Sequence, residues 1–218
     1  MRVAIAGGHG KIALRLTRLL NDRGDEVLSL IRNPDHDADV RRAGGEPVIV
    51  DLEAASDEEV ANAIDGANAV VFAAGAGPGS GPERKWTIDH GGAVKLIAAS
   101  KAVGAGRYVM VSSMGADPDR EGDDTFSVYL RAKGRADEEL KGSGLDYTIV
   151  RPAMLTDAAG TGLVEIAEHV ERGEISRDDV AAVLAAVLAT PGTAGLTFEV
   201  TAGDVPVEEA VSAMARRR

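Results

Sequence analysis

Residues 3–13 read V-A-I-A-G-G-H-G-K-I-A. The apolar run before the glycines has the length and composition of a buried strand. After them, Ile12, Leu16, Leu19 and Leu20 recur with helical spacing, predicting a helix over Lys11–Arg23. A strand that turns on glycines into a helix points free backbone N–H groups and the positive end of the helix dipole at one spot, which suits a phosphate or pyrophosphate. In this G-x-x-G-x-x-A spacing Gly7 permits the tight turn, Gly10 admits a ligand close to the backbone, and small Ala13 lets the helix lie close to the strand.

The second strand, Glu26–Ile31, ends at Arg32, where a dinucleotide-binding fold places the residue that meets the adenosine ribose. A carboxylate there would accept from a free 2′-hydroxyl, whereas a guanidinium offers planar donors and a fixed charge to a 2′-phosphate. Arg32 therefore favours NADP(H) over NAD(H). Further on, Asn33 and Pro34 can start a short helix, and Pro47–Val50 forms a third strand that delivers Asp51 and Leu52 to its carboxyl end. Ser56 with Glu59 makes a capping box for a helix to Ile64. Asn68–Ala74 is a fourth strand, entering the glycine- and proline-rich loop G-A-G-P-G-S-G-P, and a long helix follows over Glu83–Val103, weakened at Gly91-Gly92. Arg107–Val111 is a fifth strand leading to Ser112 and Ser113. An acidic loop, Asp117–Asp124, caps a helix over Thr125–Leu140, and Leu145–Val150 is a sixth strand stopped by Arg151-Pro152. After an ill-defined segment to Ile175 come a helix Arg177–Ala189, a strand near Thr197–Val200 and a last helix from Pro206. Strands alternating with helices argue a parallel sheet.

Composition narrows the function classes. The 218 residues suffice for one sizeable core and show no shift that marks a second domain, so 1–218 is read as a single α/β domain. A net charge of −11 argues against nucleic acid or an anionic membrane surface as partner. The terminal arginines 216–218 fit a helix end opposing its dipole. Without cysteine there is no disulfide, thiol catalysis or thiolate metal site, and His9, His36, His90 and His169 lie in separate segments, so no metal is expected. With no leader pattern and no apolar run of membrane-spanning length, a soluble cytoplasmic protein is expected, as monomer or as a homodimer through an apolar helix face such as Val180–Leu188.

Chemistry concentrates on Tyr129 and Lys133. Four residues apart on a helix, they share one face, and the ammonium would stabilise a tyrosinate, equipping Tyr129 to donate and accept a proton. A serine hydroxyl from the preceding strand end could hold a substrate carbonyl in line with the phenol.

These motifs together resemble an atypical short-chain dehydrogenase/reductase of the single-domain NAD(P)H-binding branch, which also holds NmrA-like regulators and flavin and biliverdin reductases. The likeness spans A-G-G-H-G-K-I-A, S-L-I-R, V-D-L, A-A-G, I-D-H-G-G-A, V-M-V-S-S, Y-L-R-A-K, L-D-Y-T-I-V-R-P-A and I-S-R-D-D-V-A. It implies a doubly wound, Rossmann-like parallel sheet with small C-terminal elements on the substrate side. By resemblance, Gly7, His9, Gly10, Lys11 and Ile12 line the pyrophosphate, Arg32 meets the 2′-phosphate, Asp51 and Leu52 flank the adenine, and Ala73, Ala74 and Gly75 back the ribose. Ser113, Tyr129 and Lys133 would be the catalytic group, with Lys133 also bonding the nicotinamide ribose and Pro152 and Ala153 near the nicotinamide. Ser113 aligns better than Ser112, although strand alternation can turn either inward. Asp89 stands where long-studied members often have asparagine. The resemblance implies an NADPH-dependent oxidoreductase acting on a small carbonyl compound, flavin or quinone. A non-catalytic NADP(H) sensor and an epimerase or isomerase are the alternatives.

Overall fold

The structure, a computed structural model, describes residues 1–77 and 79–216; Pro78 of the glycine- and proline-rich loop and Arg217 and Arg218 of the arginine terminus lie outside the described residues. The chain alternates strand and helix from its first residues: β1 (Arg2–Ala6), α1 (Lys11–Asp22), β2 (Glu26–Ile31), α2 (Asp37–Arg42), β3 (Glu46–Ile49), α3 (Asp57–Ala63) and β4 (Ala69–Phe72). Then come α4 (Pro82–Arg84), a π-helical segment Lys85–Gly92, α5 (Ala93–Ala102), β5 (Arg107–Val111), α6 (Thr125–Lys141) and β6 (Asp146–Pro152). The remainder is β7 (Met154–Thr156), β8 (Leu163–Ala167), β9 (Glu174–Ser176), α7 (Arg177–Ala189), β10 (Leu196–Ala202), β11 (Val205–Pro206) and α8 (Val207–Ala215).

Nine strands form one sheet in the order β11-β8-β10-β6-β5-β4-β1-β2-β3. From β10 to β3 every neighbouring pair is parallel, while β8 runs antiparallel to β10 and β11 pairs antiparallel with β8 at the edge. The sheet order reverses between β1 and β4, so a crevice opens at their carboxyl ends, the usual ligand position in open α/β sheets. β7 and β9 pair as a separate two-stranded parallel ribbon.

Burial on both faces explains why these strands read as unbroken apolar runs. Val3 and Ile5 of β1 face one core with Val71, Val109, Leu16 and the α7 residues Val183 and Leu184. Ala4 and Ala6 face the other, with Phe72, Tyr108, Met110, Leu96 and Leu140. The same alternation sends Val111 to the first core and turns Ser112 toward α6.

Local signals act as expected at several ends. Asn33 accepts from the Asp35 N–H, Ser56 and Glu59 cap α3 reciprocally, and Asp124 accepts from the N–H groups of Phe126 and Ser127. Three expectations are corrected. The helix predicted over Glu83–Val103 is not one regular α-helix, since residues 85–92 widen to a π-helix; Gly91 lets the widened turn close, because a Cβ there would stand 3.2 Å from the Trp86 carbonyl oxygen. β6 is not stopped by Arg151-Pro152 but ends with Pro152, whose carbonyl accepts from the Met114 N–H while Ala153 donates to Val200; a proline serves there because only its acceptor is used. Finally, Val180, Val183, Leu184, Val187 and Leu188 are buried in the core, so this face of α7 offers no dimer surface.

Candidate active site

The turn between β1 and α1 is built by backbone contacts. Gly7 has φ +76°, and a Cβ there would lie 2.7 Å from the Ala74 Cα. A Cβ on Gly8 would meet Ser29 at 2.7 Å, a constraint that the spacing argument missed although the doubled glycine displays it. The Gly8 and Gly10 N–H groups are bonded, to the carbonyls of Leu30 and Gly7. Those of Lys11, Ile12 and Ala13 have no acceptor among the described residues, and no side chain caps α1. Bare N–H groups at a helix start, beside a turn with no room for side chains, fit a pyrophosphate.

Along this turn runs a cleft of about 420 Å³ whose walls include Gly7, His9, Gly10, Arg32, Asp51 and Leu52, together with Asn33, His36 and Arg84. His9 stacks on His36 with ring centroids 3.6 Å apart and bonds Asp39 at 2.9 Å. The hydrogen bond with His9 is the chief cause holding the Asp39 carboxyl below its ordinary range. Arg32 reaches outward, its guanidinium 3.6 Å from Glu53, while Arg84 bonds the same carboxylate at 2.7 Å. The Arg84 hydrogen bond leads in holding Glu53 below its usual value. Two guanidiniums thus share one carboxylate at this end. Asp51 accepts from the Glu53 N–H, and Leu52 is buried.

A second cleft, about 520 Å³, adjoins the first through Ala73, Ala74, Gly75 and Ala76, which line both. Tyr129 and Lys133 of α6 both face it, as do Ile12, Lys85, Asp89, Ser112, Phe126 and Leu155. Lys133 is held firmly: its ammonium donates to the Val111 carbonyl at 2.8 Å and lies 3.7 Å from Asp89, which also accepts from the Ala76 N–H at 3.1 Å. Asp89 is 1 % exposed, so this pair is internal to the wall, and the π-helical segment positions it there. Tyr129 is half-buried, with the Lys85 ammonium 5.6 Å from its ring centroid. Lys85 was not singled out from the sequence; four residues before Asp89, it had only the same spacing as Tyr129 and Lys133 to mark it.

The two serines differ. Ser112 lines the cleft but donates its hydroxyl proton to Asp137, which also accepts from Arg151. Burial raises the Asp137 carboxyl above its ordinary value against those partners. Ser113 is half-buried, does not line the cleft, and donates weakly to the Met114 carbonyl at 3.3 Å. Pro152 and Lys11 likewise stand outside both linings; Lys11 is tied to Asp157 at 2.5 Å. Among the described residues no group of three or more His, Cys, Asp or Glu could hold a metal ion, and no helix is long and apolar enough to cross a membrane.

Comparison with known proteins agrees with the fold. A family described as NAD(P)H-binding matches residues 7–191. The Bacillus subtilis (strain 168) protein YhfK, named an uncharacterized sugar epimerase, is 39% identical over 97% of this chain and 99% of its own length. A solved structure from Bacillus halodurans, provisionally named an NAD-dependent epimerase/dehydratase, superposes with a TM-score of 0.91 at 40% identity, covering 98% of this chain and 99% of that one. The oxidoreductase ylbE from Lactococcus lactis superposes with a TM-score of 0.87 at 26% identity over 99% and 97% of the two chains. The chain belongs to the NAD(P)H-binding family, within its oxidoreductase- and epimerase-like proteins.

Proposed function

We propose that the protein is an NADPH-dependent oxidoreductase that reduces a small carbonyl compound, flavin or quinone, with Tyr129 as proton donor. The observation that carries this is the shared wall Ala73–Ala76, which makes a glycine-turn cleft continuous with one holding a tyrosine and a fixed lysine. Bound NADPH supplies a hydride. Gly7, His9, Gly10 and Ile12, with the free N–H groups of α1, hold its pyrophosphate, and Arg32, reinforced by Arg84, meets the 2′-phosphate. Asp51 and Leu52 flank the adenine, and Ala73, Ala74 and Gly75 back the ribose.

Tyr129 gives its phenolic proton to the substrate oxygen as negative charge develops there. Lys133 supplies positive charge beside it, and Asp89 with the Val111 carbonyl keeps that ammonium from swinging away. Ser112, which lines the cleft, has its proton committed to the buried Asp137 carboxylate, and Ser113, the serine expected to polarise the substrate, lies outside the cleft lining, so neither hydroxyl carries a step here.

Tyr129→Phe should lower NADPH oxidation with a panel of carbonyls, flavins and quinones by about a hundredfold or more, leaving NADPH affinity nearly intact. Unchanged turnover would remove Tyr129 from the mechanism. Epimerisation is the second reading, favoured by the names of the relatives at 39% and 40% identity. It is distinguished by product formation with no net cofactor oxidation.

A further inference from the structure

Lys85 is the charged group in the second cleft that the proposed chemistry leaves unused. It is 8% exposed. Its ammonium carries three donors, and one is bonded, at 3.0 Å, to the Gly77 carbonyl. Neighbouring carboxylates are engaged elsewhere: Asp89 with Lys133 and the Ala76 N–H, Glu53 with Arg84, Arg32 and Thr87. Among the described residues Lys85 has no ion pair within 4.0 Å. Burying a cation without a counter-charge is costly, so a ligand that brings one is favoured.

Away from the polar group of Asp89, Ser112, Tyr129 and Lys133, much of that cleft has the opposite character. Ile12, Ala76, Val111 and Leu155 line it, and Phe126, 60% exposed, extends the wall at an interplanar angle of 26° to the Tyr129 ring, 6.1 Å away. A polyhydroxylated sugar would find few partners on these side chains, whereas a flat apolar body would cover them. One ammonium matches one negative charge.

We infer that the second cleft takes a monocarboxylate on a flat apolar body, with the carboxylate on Lys85 and the body on Phe126. This rests on the proposed role of that cleft as the substrate site. Lys85 then fixes which end of the substrate lies beside Tyr129, and it acts as a specificity residue, with no part in proton transfer.

The test compares naphthalene-2-carboxylate with naphthalene-2-carboxamide, which keeps the body and removes the charge, by titration calorimetry on wild type, Lys85→Met and Lys85→Arg, with and without NADPH. Wild type should bind the carboxylate about tenfold more tightly than the amide. Lys85→Met should erase that preference with amide affinity unchanged, and Lys85→Arg should keep it. Equal affinities in wild type, no binding of either probe at millimolar concentration, or a preference that survives in Lys85→Met would each overturn the inference. Should Lys85→Met fail to fold, the wild-type comparison still decides. Titration with NADPH alone reports the cofactor site separately: its failure removes the proposed function, while intact NADPH binding with no carboxylate preference removes only the role of Lys85.

Discussion

The two clefts meet at Ala73–Ala76 but are made of different material. The cleft at the β1–α1 turn is shaped by main chain: Gly7 lies against the Ala73-Ala74 backbone just past β4 and Gly8 against Ser29 of β2, with no room for a Cβ, and the donors are peptide N–H groups. The other is shaped by side chains held by other side chains, Lys133 by Asp89 and Tyr129 beside Lys85 and Phe126. A main-chain site fails when atoms are added, and a side-chain site fails when they are removed or recharged.

The largest expected effect is therefore Gly7→Ala. A methyl group 2.7 Å from the Ala74 Cα, at φ +76°, forces β1 and β4 apart or unwinds the turn. We expect a loss of about 3 kcal/mol or more in chemical denaturation, and loss of nucleotide binding. Gly24 has φ +86° with nothing within 4 Å, so Gly24→Ala should cost about 1 kcal/mol and leave binding intact. Similar losses for both would mean that backbone conformation alone, and not close approach to Ala74, shapes the turn.

Next is the side-chain cleft. Asp89→Ala leaves the Lys133 ammonium buried with only a carbonyl and should cost about 3 kcal/mol. Asp89→Asn still accepts from the Ala76 N–H and should cost less in stability, while freeing Lys133 and lowering turnover. If both variants were as stable as wild type, the pair would not be what holds that wall.

A smaller effect is expected at Arg32, whose side chain is 58% exposed. Arg32→Ala should abolish a preference for NADPH over NADH of about tenfold, read from nicotinamide fluorescence titrations, with little change in stability. An unchanged preference would shift the 2′-phosphate contact to Arg84.

This difference in material also explains what could be read in advance. Glycine spacing, caps and apolar runs are local, so the strands up to β5, the Ser56–Glu59 box and the α7 boundaries were legible. Tyr129 and Lys133 were legible as a pair because four residues on a helix share a face. Tertiary choices were not. Nothing local tells that Ser112 turns to Asp137 while Ser113 stays outside the cleft, that residues 85–92 adopt a π-helix, or that Lys85 is buried at Tyr129. The strands β7 and β9 have three residues each and pair with one another, and β8 pairs with β10 and β11 roughly 30 to 40 residues further along the chain, so these pairings had no local signature.

The smallest effect concerns Lys11, expected at the pyrophosphate yet bonded to Asp157, which also accepts from Arg177. The hydrogen bond from Lys11 leads in depressing the Asp157 carboxyl below its ordinary value of 3.8. A depressed folded-state pKa means that the unfolded chain binds the proton more readily. The stabilisation is then present above 3.8 and is lost as pH falls through the lower folded-state value. Asp157→Asn should accordingly melt slightly lower than wild type near neutral pH, and the two melting curves should draw together as pH is taken below 3.8. The variant also frees an exposed ammonium next to the α1 turn, so NADPH affinity should rise a few-fold at most, more at low salt than at high. A fall in affinity would show instead that Lys11–Asp157 braces the turn, and that even the main-chain cleft depends on one side-chain contact for its shape.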